Sequence, residues 1–223
     1  MNWLDELATL LRPAGGGIHT VSTGKAAQER LQLALYRARD VAHVRAQFRE
    51  NLARIPEARG VVLGVPSDVG AGFVRGANFG PQVIRATLLE QAPDWPARTA
   101  AAGVVDIGDV FVVPQLLHDD MLSDAQKAAT RTALYPDVEP AERDRLPVSP
   151  LSIAERVLDL VLAQNPRVAP FVIGGDHSTA WPVAAALARA RTDRWAILQP
   201  DAHTDLLETR LGVKYCFATW SYH

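Results

Sequence analysis

The chain has 223 residues, of which 48% are hydrophobic and 22% are charged, and its formal net charge is −2. This composition is typical of a globular protein, and a nearly neutral chain has no general attraction for nucleic acid or an anionic membrane. A single cysteine, Cys216, excludes an internal disulfide framework, and no apolar run is long enough to cross a bilayer. Acidic residues stand at the N-terminus, where a signal peptide needs positive charge. We therefore expect a soluble, cytoplasmic protein.

Residues 1–59 are predicted to form a helical N-terminal extension. A short amphipathic segment is followed by the glycine-rich connector RPAGGGIHTVSTG, which we expect to be mobile. Residues 25–55 then contain good helix formers and neither Gly nor Pro. Leu31, Leu35 and Val41 are among the apolar residues that recur at helical spacing, which predicts one long amphipathic helix over 25–55.

From residue 60 onward, short apolar runs alternate with helical segments. GVVLGVP, GVVDIGD, APFVIGGD and RWAILQPD are continuous apolar runs, which is typical of parallel strands covered on both faces. The predicted helices between them are GPQVIRATLLE, with Pro81 in its first turn, SPLSIAERVLDLVLAQ and STAWPVAAALARARTD. Residues 112–150 are polar and contain several prolines, which predicts an inserted loop with one short helix. The alternation indicates a doubly wound α/β domain over residues 60–223.

Ionisable side chains follow two of the predicted strands. Asp176 and His177 come after APFVIGG, and the stretch LQPDAHTDLLE places Asp201, His203 and Asp205 at two-residue spacing. An extended segment projects alternate residues to one side, and ligands of such sheets gather at the carboxyl ends of the strands. Buried carboxylates need a partner, and mixed nitrogen and oxygen ligands suit Mn, Fe, Co, Ni or Zn. The pattern therefore predicts a two-metal site formed by His177, Asp201, His203 and Asp205.

Single residues in this region allow other interpretations. Asp176 precedes a predicted helix, and a helix cap is favoured over a ligand role there. Gly174 and Gly175 could cradle a phosphate, but neither a P-loop lysine nor G-x-G-x-x-G spacing accompanies them. Cys216 has no context that would activate its thiol, so we predict a packing role. Core packing is also favoured for Trp220, although its ring could line a pocket.

The motifs GGDHS and DAHTD together resemble those of the ureohydrolases, the arginase, agmatinase and formiminoglutamase family of dinuclear manganese hydrolases. Upstream, VVLGVPSDVGAGFVRGANFGPQVIRATLL is similar to the family's opening strand, glycine-rich loop and helix. The resemblance covers residues 60–223 apart from the 112–150 insertion. It implies an arginase-like, three-layer α/β/α fold with a mainly parallel sheet.

The resemblance also implies a reaction and a ligand set. Two Mn²⁺ ions would be bound, although the ligand types alone would also admit Ni²⁺, Fe²⁺ or Co²⁺. His177 and Asp205 would bind one ion, His203 would bind the other, and Asp201 would bridge both. A bridging hydroxide would attack the guanidinium carbon of a small guanidino substrate, releasing urea and an amine. His223 falls about where the family has a proposed proton shuttle, but a histidine without a catalytic role is favoured. A homo-oligomer, either a trimer or a hexamer, is also implied.

One departure from the family pattern leaves alternatives open. The family continues with a strand that carries a D-x-D motif and with a later glutamate, and neither has a counterpart before His223. We therefore expect this sequence to be an incomplete piece of a longer chain. The alternative functions are hydrolysis of a formimino group, a non-catalytic ureohydrolase-like subunit, and a metal-dependent amidohydrolase or deacetylase on a related scaffold.

Overall fold

The computed structural model of the protein describes residues 1–71, 74–113 and 115–223. Gly72 and Phe73 of the predicted glycine-rich loop and Pro114 of the predicted insertion lie outside these ranges. The helices are α1 (Trp3–Leu10), α2 (Ser22–Leu35), α3 (Val41–Ala53), α4 (Gly80–Gln91), α5 (Trp95–Ala101), α6 (Asp124–Leu134), α7 (Pro140–Arg143), α8 (Pro150–Gln164) and α9 (Trp181–Ala190). The strands are β1 (Leu11–Arg12), β2 (Gly60–Gly64), β3 (Val104–Val110) and β4 (Ala169–Ile173).

The strands form one sheet in the order β1-β3-β2-β4. β2 pairs in parallel with β3 and with β4, whereas β1 pairs antiparallel with β3. Every residue of β2 is buried, as expected for a central strand that is covered on both faces. Helices pack around this sheet, which confirms the three-layer α/β/α fold with a mainly parallel sheet. Among the described helices, none is both long and apolar enough to cross a membrane.

The longest helix, α8, shows how the sequence builds the core. It begins with Pro150 in its first turn, where the missing backbone N–H costs no helical hydrogen bond. Ile153, Val157 and Val161 then recur at helical spacing and are at most 1% exposed within the main apolar core. This buried stripe packs next to α9 and fixes the helix that follows the candidate site residue His177.

The prediction of one long helix over 25–55 is wrong, because two helices occupy this range. α2 ends at Leu35, and α3 begins at Val41. The side chain of Asp40 accepts the His43 backbone N–H (2.7 Å) and caps α3. An aspartate immediately before a new helical segment is a start signal, and here it outweighs the absence of Gly and Pro.

The first part of the glycine-rich connector, as far as Gly17, is fixed by hydrogen bonds, contrary to the prediction that the connector is mobile, whereas Val21 near its end is 68% exposed. The backbone N–H of Ala14 donates to the Tyr36 hydroxyl (2.9 Å). The N–H groups of Gly15 and Gly17 donate to one carboxylate oxygen of Asp109 (2.8 and 3.4 Å). Buried backbone groups require such partners, so these bonds hold the connector against β3.

The prediction of a strand over RWAILQPD is also wrong. Residues 194–200 have no regular secondary structure, and Leu198 is 93% exposed. The continuous apolar run predicted a buried parallel strand. Such a strand also needs a neighbouring strand to pair with and a covering layer on each face. β4 is consequently the edge strand next to β2, and its Phe171 is 55% exposed.

The 112–150 insertion contains more regular structure than the single short helix that was predicted. Both α6 and α7 lie within it, together with a 3₁₀ turn at Asp119–Met121. His118, which is buried, contacts Glu155 of α8 through its Nε2 (2.9 Å). The carboxylate of Asp119 accepts the Ser149 N–H (2.8 Å), so the insertion is anchored to the start of α8.

Candidate metal centre

The loop after β4 positions His177. The side chain of Asp176 accepts the Ser178 N–H (2.8 Å) and caps the 3₁₀ turn that carries His177. This is the cap role that was predicted for Asp176. Burial raises the pKa of Asp176. A Cβ at Gly175 would lie 1.8 Å from the Ser67 carbonyl oxygen, so only glycine allows the close approach of the loops after β2 and β4.

Three of the predicted ligands lie together. His177 Nδ1 is 2.7 Å from Asp205 Oδ2 and 3.2 Å from Asp201 Oδ2. One ligand atom from each residue lies within 4.8 Å of the other two. We call these three residues the metal-ligand group. The Asp205 side chain is 5% exposed, whereas those of His177 and Asp201 are 34% and 29% exposed, so the group opens to solvent on one side.

Asp205 is the most constrained member of the metal-ligand group. Its backbone has a φ of 52°, in the left-handed region that aspartate tolerates better than most residues. Its Oδ2 accepts hydrogen bonds from Trp220 Nε1 (3.0 Å) and from Gln199 Nε2 (3.2 Å). Bonds to an ionised carboxylate are stronger than those between neutral groups, and together these contacts fix the direction in which Asp205 points.

Asp201 has its two carboxylate oxygens directed at different imidazoles. Oδ2 faces His177, whereas Oδ1 accepts the His203 backbone N–H (2.8 Å) and lies 3.4 Å from His203 Nδ1. The His203 N–H lowers the pKa of Asp201 because it stabilises the ionised carboxylate. The side chain of His203 is 83% exposed and lies outside the metal-ligand group, but its ring is close to Asp201, which is a member of that group.

The structure places His223 away from the metal-ligand group. Its Nε2 is 2.8 Å from the backbone carbonyl oxygen of Glu208, so this nitrogen donates. The ring packs against the aromatic rings of Trp181, Tyr215 and Tyr222. Cys216 is buried with a free thiol and is not a member of the group.

Sequence reasoning missed how Trp220 and Gln199 support the site. Trp220 was predicted to be a packing residue, and it is indeed only 5% exposed, but its indole also donates to Asp205. A buried indole N–H needs a hydrogen-bond acceptor, so a hydrogen bond from Trp220 could have been predicted from the expected burial of its ring. The acceptor itself could not be identified without the fold. Gln199 had no signal, because its bond to Asp205 depends on the irregular path of residues 194–200.

We expect Trp220→Phe to weaken metal binding by about tenfold, because it removes a hydrogen bond that orients Asp205 while keeping an aromatic ring in place. Titration calorimetry with Mn²⁺ measures this change directly. Trp195→Phe is the matched control, since Trp195 is 46% exposed. Equal affinities of the Trp220→Phe variant and the unmodified protein would show that the indole does not orient the ligand.

The donor set fits a divalent transition-metal ion. One imidazole nitrogen and two carboxylates provide mixed nitrogen and oxygen ligands, with more negative than positive charge among them. His203 adds a second imidazole on the far oxygen of Asp201. Thiolate does not contribute, because Cys216 is not a member of the group.

Comparison with known proteins places this site in a family. Residues 58–223 match the model of the arginase family. The chain is 29% identical over 178 residues to mitochondrial arginase 1 of Arabidopsis thaliana, which covers 78% of this chain and 46% of that protein. It is 31% identical over 162 residues to mitochondrial agmatinase of Gallus gallus, with 70% of this chain and 38% of that protein covered. It thus spans less than half the length of both relatives.

A solved structure, the arginase from Medicago truncatula, is also similar. It has a TM-score of 0.48 and 21% sequence identity, and the match covers 87% of this chain and 54% of that one. The family model alone covers well over half of the chain and includes all residues of the metal-ligand group as well as His203 and His223. The chain belongs to the arginase family.

Proposed function

We propose that this chain forms the metal-binding part of a ureohydrolase that acts on a small guanidino compound. The reaction is hydrolysis of a carbon–nitrogen bond in a linear amidine, which yields urea and an amine. The observation that carries the proposal is the convergence of His177, Asp201 and Asp205 at the carboxyl end of β4. Family membership adds support, since the relatives include an arginase and an agmatinase.

The proposed ligand roles are those that the resemblance to the ureohydrolases implies. His177 and Asp205 would hold one ion, His203 would hold a second, and Asp201 would serve both. The division of the Asp201 oxygens between His177 and His203 supports the bridging role. Two manganese ions, when bound, supply water activation, that is, a hydroxide nucleophile near neutral pH. Trp220 and Gln199 do not bind metal but hold Asp205 in position (hydrogen bonds of 3.0 and 3.2 Å).

A cavity beside the metal-ligand group supports a small substrate with an apolar portion. Its volume is about 420 Å³, and His177, Trp195, Ile197 and Trp220 are among the residues that line it. These walls suit a short carbon chain, and His177 places the candidate metal centre at the edge of the cavity. A proton-shuttle role for His223 stays the less favoured alternative, and in that role Nδ1 would accept the proton because Nε2 donates to Glu208.

We further propose a cytoplasmic location and a homo-oligomer, either a trimer or a hexamer. The free, buried Cys216 suits a reducing compartment. The apolar surface at β4, where Phe171 is 55% exposed, suits coverage by further protein.

Urea release tests the proposed reaction. The natural protein, purified from its own cells and loaded with manganese, is incubated separately with arginine, agmatine, a guanidino acid and guanidine. We expect urea from at least one of them, and loss of that activity after chelation. Release of formamide from formiminoglutamate, without urea from any guanidino compound, would replace the proposed substrate class. No product from any substrate, with two ions bound per chain, would contradict a catalytic role.

A further inference from the structure

A second cavity lies at the other end of the sheet from the metal-ligand group. It has a volume of about 210 Å³ and is bounded by the end of α2, by α3, by α5 and by the first residues of β3. His177 follows the carboxyl end of β4, whereas Val104 and Val105 lie at the amino end of the parallel strand β3. This cavity, which we call the amino-end cavity, is therefore separate from the candidate metal centre.

Two arginines lie among the polar residues that line the amino-end cavity, whereas the amides there already donate within the protein, Gln47 to Glu50 (2.7 Å) and Asn51 to the Asp106 carbonyl oxygen (3.1 Å). Arg37 and Arg54 line it together with the amides Gln47 and Asn51. Neither arginine forms an ion pair with an acidic side chain in the part of the chain that the structure describes. Arg39, which like Arg37 lies between α2 and α3, differs because its Nε is 3.5 Å from Asp40 Oδ2. Two guanidinium groups thus remain available to an anionic ligand.

One carboxylate, that of Asp106, also lines this cavity, but it is paired with Arg85, which also contacts Asp109. Arg85 Nε and Nη2 donate to the two oxygens of Asp106 (2.8 and 2.9 Å), in a bidentate pair. The guanidinium of Arg85 is completely buried. Asp106 is therefore paired within the protein and does not occupy Arg37 or Arg54.

The backbone at Arg37 gives an independent reason to assign its side chain a role. The N–H of Ala38 donates to the Leu33 carbonyl (2.9 Å), and the N–H of Arg37 donates to the Ala34 carbonyl (3.2 Å). These two bonds form a Schellman motif, in which the residue at the position of Arg37 adopts a left-handed conformation and is usually glycine. Arg37 has a φ of 47° there. An arginine at a position that favours glycine indicates that the side chain is retained for a purpose other than ending the helix.

We propose that the amino-end cavity binds a small oxyanion, a carboxylate or a phosphate, through Arg37 and Arg54. The planar guanidinium fork matches the oxygens of both anions and can donate two parallel hydrogen bonds. The volume limits the ligand to a small molecule. The two arginines belong to the N-terminal extension, whereas α5 and β3 belong to the part of the chain that matches the family model. A bound anion therefore connects these two parts.

The test measures the melting temperature of the 223-residue chain against inorganic phosphate, with EDTA present and with ionic strength held constant by sodium chloride. We expect a saturable rise of roughly 3–6 °C at ten times the dissociation constant. In Arg37→Gly this rise is lost, whereas the melting temperature without phosphate is unchanged or higher because glycine relieves the left-handed backbone. Loss of binding without loss of stability separates a ligand site from a structural role.

Two further variants complete the test. Arg54→Gln should reduce the phosphate response as Arg37→Gly does, whereas Arg39→Ala removes a neighbouring positive charge and should leave the response intact. Malonate in place of phosphate distinguishes a carboxylate site from a phosphate site. The same rise in all variants would mean that phosphate acts through general salt effects, and this outcome overturns the proposal. A rise that does not saturate overturns it as well.

Discussion

Asp201→Ala is expected to abolish the rise in melting temperature that manganese gives to the protein. Asp201 is the residue that both histidines share, since its Oδ2 lies 3.2 Å from His177 Nδ1 and its Oδ1 lies 3.4 Å from His203 Nδ1. Its removal takes one ligand from each proposed ion, so neither keeps its ligand set. A ligand that binds only the folded state stabilises it in proportion to the logarithm of its concentration. Differential scanning calorimetry with and without excess Mn²⁺ measures the response.

Asp193→Ala is the matched control, because Asp193 is an exposed aspartate in the same segment of the chain. Its manganese response should equal that of the unmodified protein. An Asp201→Ala variant that still responds fully to manganese would contradict the proposed ligand set, whatever the activity of the protein. A lost response together with an unchanged melting temperature in EDTA would locate the effect in metal binding rather than in folding.

Arg85→Met is expected to lower the free energy of unfolding by about 3–5 kcal/mol at neutral pH. The Arg85 side chain is completely buried and donates to Asp106 through Nε and Nη2 and to Asp109 through Nη1 (2.5 Å). Methionine fills much of the space but leaves two carboxylates without their cation. Urea denaturation followed by circular dichroism gives the change in free energy.

The pH dependence of this loss has a definite sign. Burial raises the pKa of Asp106, and Arg85 opposes that rise. Without Arg85, the folded-state pKa of Asp106 lies further above its unfolded value, so protonation of the folded state relieves the penalty. The destabilisation by Arg85→Met should therefore become smaller as the pH falls from about 8 to about 5.

Arg98→Met is the control for Arg85→Met. Arg98 pairs with Asp94 at 3.9 Å, and both side chains are more than 60% exposed. Exposed pairs of this kind contribute at most about 1 kcal/mol. Similar losses for the two variants would show that Arg85 contributes no more than a surface charge, and the network of Arg85, Asp106 and Asp109 would then not be a main support of the fold.

The parts of the fold that were predicted correctly depend on local patterns. GVVLGVP and APFVIGGD contain β2 and β4, and GVVDIGD contains β3 except for its last residue, Val110, because continuous apolar runs of this length suit a sheet that is covered on both faces. Pro81 and Pro150 each lie in the first turn of a predicted helix. RWAILQPD has the same apolar character, yet Leu198 is 93% exposed. Pairing with a neighbour decides whether such a run becomes a strand, and that neighbour cannot be identified from the run itself.

Three of the four predicted ligands lie together in the candidate site, but the conformation that brings them there was not predicted. The two-residue spacing of Asp201, His203 and Asp205 was explained by an extended strand, and Asp201 and Asp205 do lie beside His177. The backbone that brings them there is irregular and reaches a left-handed conformation at Asp205. The support of Asp205 by Trp220 was missed, because a hydrogen bond across 15 residues leaves no periodic pattern.

The left-handed backbone at Asp205 restricts how this position can vary among functional sequences. Asparagine would tolerate the backbone, as would glycine, but neither supplies a carboxylate. Glutamate would supply the carboxylate, but its longer side chain is poorly suited to a φ of 52° and to the donors from Trp220 and Gln199. Only aspartate meets the conformational and the chemical demand at once. Residue 205 therefore has to satisfy two independent requirements, one from the backbone conformation and one from the proposed site.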